Sequence, residues 1–175
     1  MRKSSPDRHF KAQKVQRLAC LFCILYVFCV PAAKGQDRDP VQFFEQIATL
    51  IRDNRLKEAE KELSSVLRVS PELPVALNLL GTVRAKQGRL VEAETLFLRA
   101  ARNDKNFTGA RMNLVYLYLL KHAPEKSIVQ LKEILAVEPE NAEAAEKLTD
   151  LLVSQGRFDE CIAFVEKQKA TRSVP

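Results

Sequence analysis

The chain has 175 residues, 46% of them apolar and 29% charged, with a formal charge of +6. Residues 1–35 carry seven bases against one acid and the rest carries 21 of each, which excludes a basic folded surface for nucleic acid or anionic membrane. Three of the four cysteines, Cys20, Cys23 and Cys29, also lie in that leader, so Cys161 has no intrachain partner beyond it and a disulfide framework or paired-cysteine metal site is excluded there.

The leader is polar and basic to Arg17, then apolar without a charge from Leu18 to Val30. As a helix that run is about 20 Å long against a hydrocarbon core of about 30 Å, too short to span comfortably. Pro31 breaks it, and Ala33-Lys34-Gly35 offers a small-x-small cleavage site before Gln36. The segment 1–35 is therefore expected to be a signal peptide, with an uncleaved membrane anchor over residues 18–33 as the alternative. Residues 36–39 form a short linker.

From Pro40 the sequence repeats itself every 34 residues. Asn54-Arg55-Leu56-Lys57-Glu58-Ala59, Gly88-Arg89-Leu90-Val91-Glu92-Ala93 and Gly156-Arg157-Phe158-Asp159-Glu160-Cys161 are copies, and the degraded fourth copy starts on schedule at His122. Small residues recur at Ala59, Ala93, Ser127 and Cys161, and larger apolar ones at Leu63, Phe97, Leu131 and Val165. A further column reads Gln46, Leu80, Leu114 and Leu148. The four units are 40–73, 74–107, 108–141 and 142–175.

Each unit is predicted to be two helices joined by a sharp turn. Leu77, Leu80, Gly81 and Arg84 share one helical face, and Ala93, Leu96, Phe97 and Ala100 share one on the next helix. Asn54, Gly88, His122 and Gly156 fall in the turn between, and all are residue types that tolerate positive φ. Pro74 and Pro124 suit a first helical turn, whereas Pro71 and Pro139 stop a second helix. Small residues let paired helices approach closely, and stacking of neighbouring units completes a core that no single pair can bury.

Leu77, Leu80-Gly81, Gly88, Leu90, Ala93, Phe97 and Ala100 resemble the tetratricopeptide repeat family at nearly every defining place, departing from it at Arg84 and Lys105. The third unit keeps Leu114, Tyr118, Leu131 and Pro139, and the fourth keeps Leu148, Gly156 and Phe158. The first unit has Gln46 and Ile47 in place of Leu and Gly. The resemblance covers residues 40–175 and implies an all-α, right-handed superhelical solenoid of four helix-turn-helix repeats.

Nothing in the sequence assembles a catalytic, cofactor or metal site. His122 is expected to shape a turn, and Cys161 to be a buried, inert thiol. The resemblance instead implies a concave groove, lined by the first helices, that holds a peptide or helix of a partner protein. By register it presents Phe44, Asn78, Thr82, Met112, Tyr116 and Leu119, then an acidic end at Glu143, Glu146 and Asp150. A carboxylate clamp is disfavoured, since Asn78 and Asn113 are present without the usual bases. The occupant expected is an apolar segment with a basic flank, and no nucleic acid. Phe158, Ile162, Phe164 and Val165 on the last helix form a second expected contact, through self-association, a partner or further repeats. The function expected is that of an exported, non-enzymatic adaptor, periplasmic or secreted, with a role in envelope assembly or secretion; the alternative is a piece of a longer repeat protein that acts through its ends.

Overall fold

The computed structural model describes residues 39–172. The expected export signal or anchor (1–35), the linker positions 36–38 and the last three residues of the fourth unit lie outside the described residues.

Among the described residues there are eight α-helices and no strand. They are α1 (Pro40–Arg52), α2 (Leu56–Val69), α3 (Pro74–Lys86), α4 (Leu90–Asn103), α5 (Thr108–Leu120), α6 (Pro124–Val137), α7 (Ala142–Ser154) and α8 (Phe158–Arg172). The odd-numbered helices are all 13 residues long. Consecutive helices pack as neighbours along an all-α repeat solenoid.

One turn geometry is used four times. Asn54, Gly88, His122 and Gly156 have φ of 60°, 78°, 52° and 70°. In each turn the following amide closes a bond back across the helix end: Arg55 N to Leu50 O at 2.9 Å, Arg89 N to Arg84 O at 2.9 Å, Ala123 N to Tyr118 O at 2.8 Å and Arg157 N to Leu152 O at 2.9 Å. This is the Schellman arrangement, in which one left-handed residue satisfies carbonyls that the helix would otherwise leave open. His122 is therefore a turn residue. Pro74 and Pro124 open α3 and α6, where a missing amide costs nothing. Asn141 opens α7 by accepting a hydrogen bond from Ala144 N at 3.0 Å.

Within each pair, side-chain sizes compensate. Gly81 lies under the Phe97 ring, and a Cβ there would sit 2.6 Å from Cε1. The same columns read Ile47 against Leu63 in the first unit and Val115 against Leu131 in the third, all buried. Ala59, Ala93 and Ser127 are fully buried where the paired helices approach closest. The buried Ser127 hydroxyl donates to Val115 O at 3.2 Å, so it carries no desolvation penalty. Cys161, in the same column, is only partly buried and packs against the α6–α7 cluster.

Contacts between units change character along the array. Glu60 on α2 accepts from Arg84 on α3 at 2.7 Å and from Gln87 at 3.1 Å, which explains arginine in a column where tyrosine is usual. The next junction joins Glu94 to Lys121. There burial, and secondarily a hydrogen bond to Glu94, push Tyr118 up to about 12. At the third junction Ile128 and Leu152 belong to one buried apolar cluster. The outward face of α1 is polar, with Gln42, Glu45, Gln46 and Thr49 exposed in the register where Ala76, Leu80 and Val83 are buried in α3.

The first junction gives a pH dependence. Hydrogen bonds from Arg84 and then Gln87 hold the Glu60 carboxyl down to about 2. A depressed carboxylate pKa contributes stability that is present above the unfolded value and lost as pH falls through the folded one. The side chain is 32% exposed, so solvent screening leaves about 1–2 kcal/mol. Glu60→Gln will lower stability at neutral pH by that amount, and the difference from wild type will close between about pH 4.5 and pH 2 in urea titrations.

Candidate functional site

The odd-numbered helices place the residues expected to line a groove. Asn78 on α3 and Asn113 on α5 meet, with Asn113 Nδ2 donating to Asn78 Oδ1 at 2.8 Å. Asn78 O also accepts from Thr82 Oγ1 at 3.1 Å. The amide pair uses one acceptor of Asn78 and one donor of Asn113. The Asn78 NH₂ and the Asn113 carbonyl form no further side-chain hydrogen bond among the described residues, leaving a donor and an acceptor side by side.

Tyr116 lies one turn further along α5, 46% exposed, and its hydroxyl donates to Glu143 on α7. That bond, and then burial, raise the phenol pKa. Lys147 stands over the same ring at 5.0 Å from its centroid and 3.9 Å from Glu143. Tyr116, Glu143 and Lys147 thus form a polar bridge between the third and fourth units, held by a cation–π contact and charge. Beyond it Glu146 and Asp150 are exposed on α7.

The apolar trough is thinner than the sequence register implies. Met112 and Leu119 are partly buried against the α6–α7 core, and Phe44 is partly buried against the α1–α3 core in an edge contact with Phe43 at 5.5 Å. Leu120, 65% exposed, and Tyr116 supply most of the accessible apolar area on α5. Sequence reading missed Lys147, although its place four residues after Glu143 is the signal for a helical ion pair.

The second expected contact divides. Phe158 and Ile162 are 58% and 56% exposed. Val165 is partly buried, and Phe164 turns inward against the α6–α7 cluster. Ile162 occupies the junction column of Glu60, Glu94 and Ile128.

A family model described as a tetratricopeptide repeat matches residues 45–106. The matched tetratricopeptide repeats lie in the first two units, and the Schellman turn they contain recurs in the third and fourth. No curated protein sequence matches it. Among solved structures, the protein is similar to MamA, with TM-score 0.62 and 16% identity over 78% of this chain and 81% of that one. It is also similar to the first TPR of Spaghetti (RPAP3) bound to the HSP90 peptide SRMEEVD, with TM-score 0.58 and 16% identity over 66% and 92% of the two chains. YrrB, a TPR protein with an unusual peptide-binding site, gives TM-score 0.59 and 17% identity over 75% and 68%. At these identities the likeness is one of fold. Among the described residues no helix is long and apolar enough to cross a membrane.

Proposed function

We propose that the protein is a non-enzymatic adaptor that holds an extended or helical segment of a partner protein along α3, α5 and α7, and that it acts after export, in the periplasm or outside the cell. The observation that carries this reading is the amide pair Asn78–Asn113 set beside exposed Tyr116. A neighbouring donor and acceptor match the hydrogen-bonding groups of a peptide backbone, and the tyrosine offers apolar area with a polar tip. Exposed Glu146 and Asp150 favour a basic flank on the same segment. Export rests on the leader, whose basic start, short apolar run and small-x-small site have the form of a signal peptide; a role in envelope assembly or secretion would follow from that location.

The test is affinity capture from the cell envelope, then binding of the captured partner's segment to variants. Asn78→Ala and Tyr116→Asp alter side chains that are not fully buried, so the fold will persist by circular dichroism while affinity falls about tenfold or more. Glu146→Lys with Asp150→Lys will weaken binding further and reduce its dependence on salt. Unchanged capture by the folded variants would remove the groove from the account.

A second reading is favoured by Phe158 and Ile162. Ile162 extends an inter-unit column that is covered wherever a following unit exists, as at Ile128, 2% exposed. Covering by another copy or partner would make α8 an end-to-end contact. Sedimentation of Ile162→Lys against wild type tests it, with loss of concentration-dependent association as the supporting result.

A further inference from the structure

The loop between the second and third units reads Asp104-Lys105-Asn106-Phe107-Thr108. An asparagine followed two residues later by a hydroxyl side chain, with no proline between, is the acceptor pattern for N-linked oligosaccharide. An acid two residues ahead, here Asp104, completes the longer form of that pattern. The other asparagines, Asn54, Asn78, Asn103, Asn113 and Asn141, have Leu, Leu, Lys, Val and Glu at the hydroxyl position. A pattern this short arises often by chance, so its place in the fold decides whether it can be used.

The fold puts Asn106 where a bulky group can be carried. α4 ends at Asn103 and α5 begins at Thr108, and Asn106 is exposed in the turn between them. Phe107 beside it is partly buried against Leu77, Ala100, Ala101 and Ala110, so the loop is anchored through its aromatic residue and leaves its asparagine to solvent. Three of the other asparagines have committed side chains. Asn103 Nδ2 donates to Glu72 O at 3.0 Å, Asn113 donates to Asn78, and Asn141 caps α7. Asn106 uses its backbone instead, its N donating to Asp104 Oδ1 at 2.9 Å and its O accepting from Thr108 N at 2.9 Å. Its side-chain amide forms no hydrogen bond among the described residues.

We propose that Asn106 is an N-glycosylation site, taking its oligosaccharide from a polyprenyl-diphosphate carrier. Asn106 Nδ2 bonds the anomeric carbon of the sugar and loses one proton, while the anomeric C–O bond breaks and the polyprenyl diphosphate leaves with the electron pair. The product is a bulky, solubilising group on the outer end of an inter-unit loop. Thr108 donates its hydroxyl to Glu138 Oε1 at 2.8 Å in the folded protein. Both flanking groups of the acceptor, Asp104 and Thr108, are thus engaged once α5 has formed, and transfer precedes that closure. The inference rests on the export reading above, since the carrier is met only by an exported chain.

The test is expression of the full chain in a bacterium supplied with an N-oligosaccharyltransferase and its lipid-linked oligosaccharide, read by intact mass and site mapping of the periplasmic protein. A gain of one oligosaccharide mass on Asn106 is expected. Asn106→Gln and Thr108→Ala will lose it, and Thr108→Ser will keep it. A second form carries a signal peptide of the host in place of residues 1–35, so that delivery does not depend on the chain's own leader. Modification behind the host signal alone supports the acceptor and counts against the export reading only. An unmodified periplasmic protein behind the host signal overturns the proposal, as does a mass gain that persists in Asn106→Gln or Thr108→Ala.

Discussion

Gly81→Val will destabilise the protein by about 2–4 kcal/mol, and adding Phe97→Leu will recover most of that loss. A Cβ at residue 81 would stand 2.6 and 2.7 Å from two atoms of the Phe97 ring. The ring is 2% exposed and belongs to a cluster with Ala93 and Leu114, so it has no empty space to move into. Overpacking of a filled core commonly costs about 1–3 kcal/mol, and a branched side chain in this position adds two methyl groups to the conflict. Phe97→Leu alone leaves a void and will cost about 1–3 kcal/mol.

The two losses will not add, because the double variant recreates the pairing of Val115 with Leu131, both fully buried in the third unit. Valine also has better helix propensity than glycine by a few tenths of a kcal/mol. Urea unfolding of the four proteins will show a favourable coupling of about 2 kcal/mol or more. Additive losses would mean that the columns do not compensate one another in size, and the interchangeability of the units would need another explanation.

The turns were legible because their requirement is narrow. Positive φ restricts the choice to glycine and a few polar residues, so Asn54, Gly88, His122 and Gly156 mark the phase even where His122-Ala123-Pro124 has lost the rest of the motif. Gly81 was legible as a place of close helix approach because small residues let paired helices meet, whereas its contact with the Phe97 ring emerges only in the fold. The groove was harder to read. At a period of 3.6, residues that face a ligand and residues that face the next unit lie on adjoining arcs of one helix. Met112 and Leu119 turn toward the core while Tyr116 and Leu120 do not, and the spacing of these residues cannot separate the two cases.

Arg84 departs from the family pattern because Glu60 stands beside it; the signal is a residue 24 positions away on another helix. The exposure of Gln46 beside buried Ile47 follows from the same logic, since the column that contacts a preceding helix has none to contact among the described residues.

Leu148→Ala will release the fourth unit before the other three. Leu148 is 1% exposed and ties α7 to Val115, Ile128, Leu131 and Leu135, so truncation will cost about 2–4 kcal/mol. In a stacked array each unit contacts only its neighbours, and the loss is borne at the junction it weakens. The α7–α8 pair contains helices of 13 and 15 residues, about a quarter of the helical content. Circular dichroism in urea will therefore show an early step of about that amplitude ahead of the main transition, with hydrogen exchange accelerated in α7 and α8 alone. Leu114→Ala, fully buried in the middle of the array, will instead lower one undivided transition. Glu143, Glu146 and Asp150 all lie on α7, so at urea concentrations inside the early step the Leu148→Ala protein will lose its preference for a basic flank while contacts at Asn78 and Thr82 persist. A single transition of full amplitude in Leu148→Ala would show that the four units fold as one cooperative body and that the acidic end cannot be detached from the rest of the binding face.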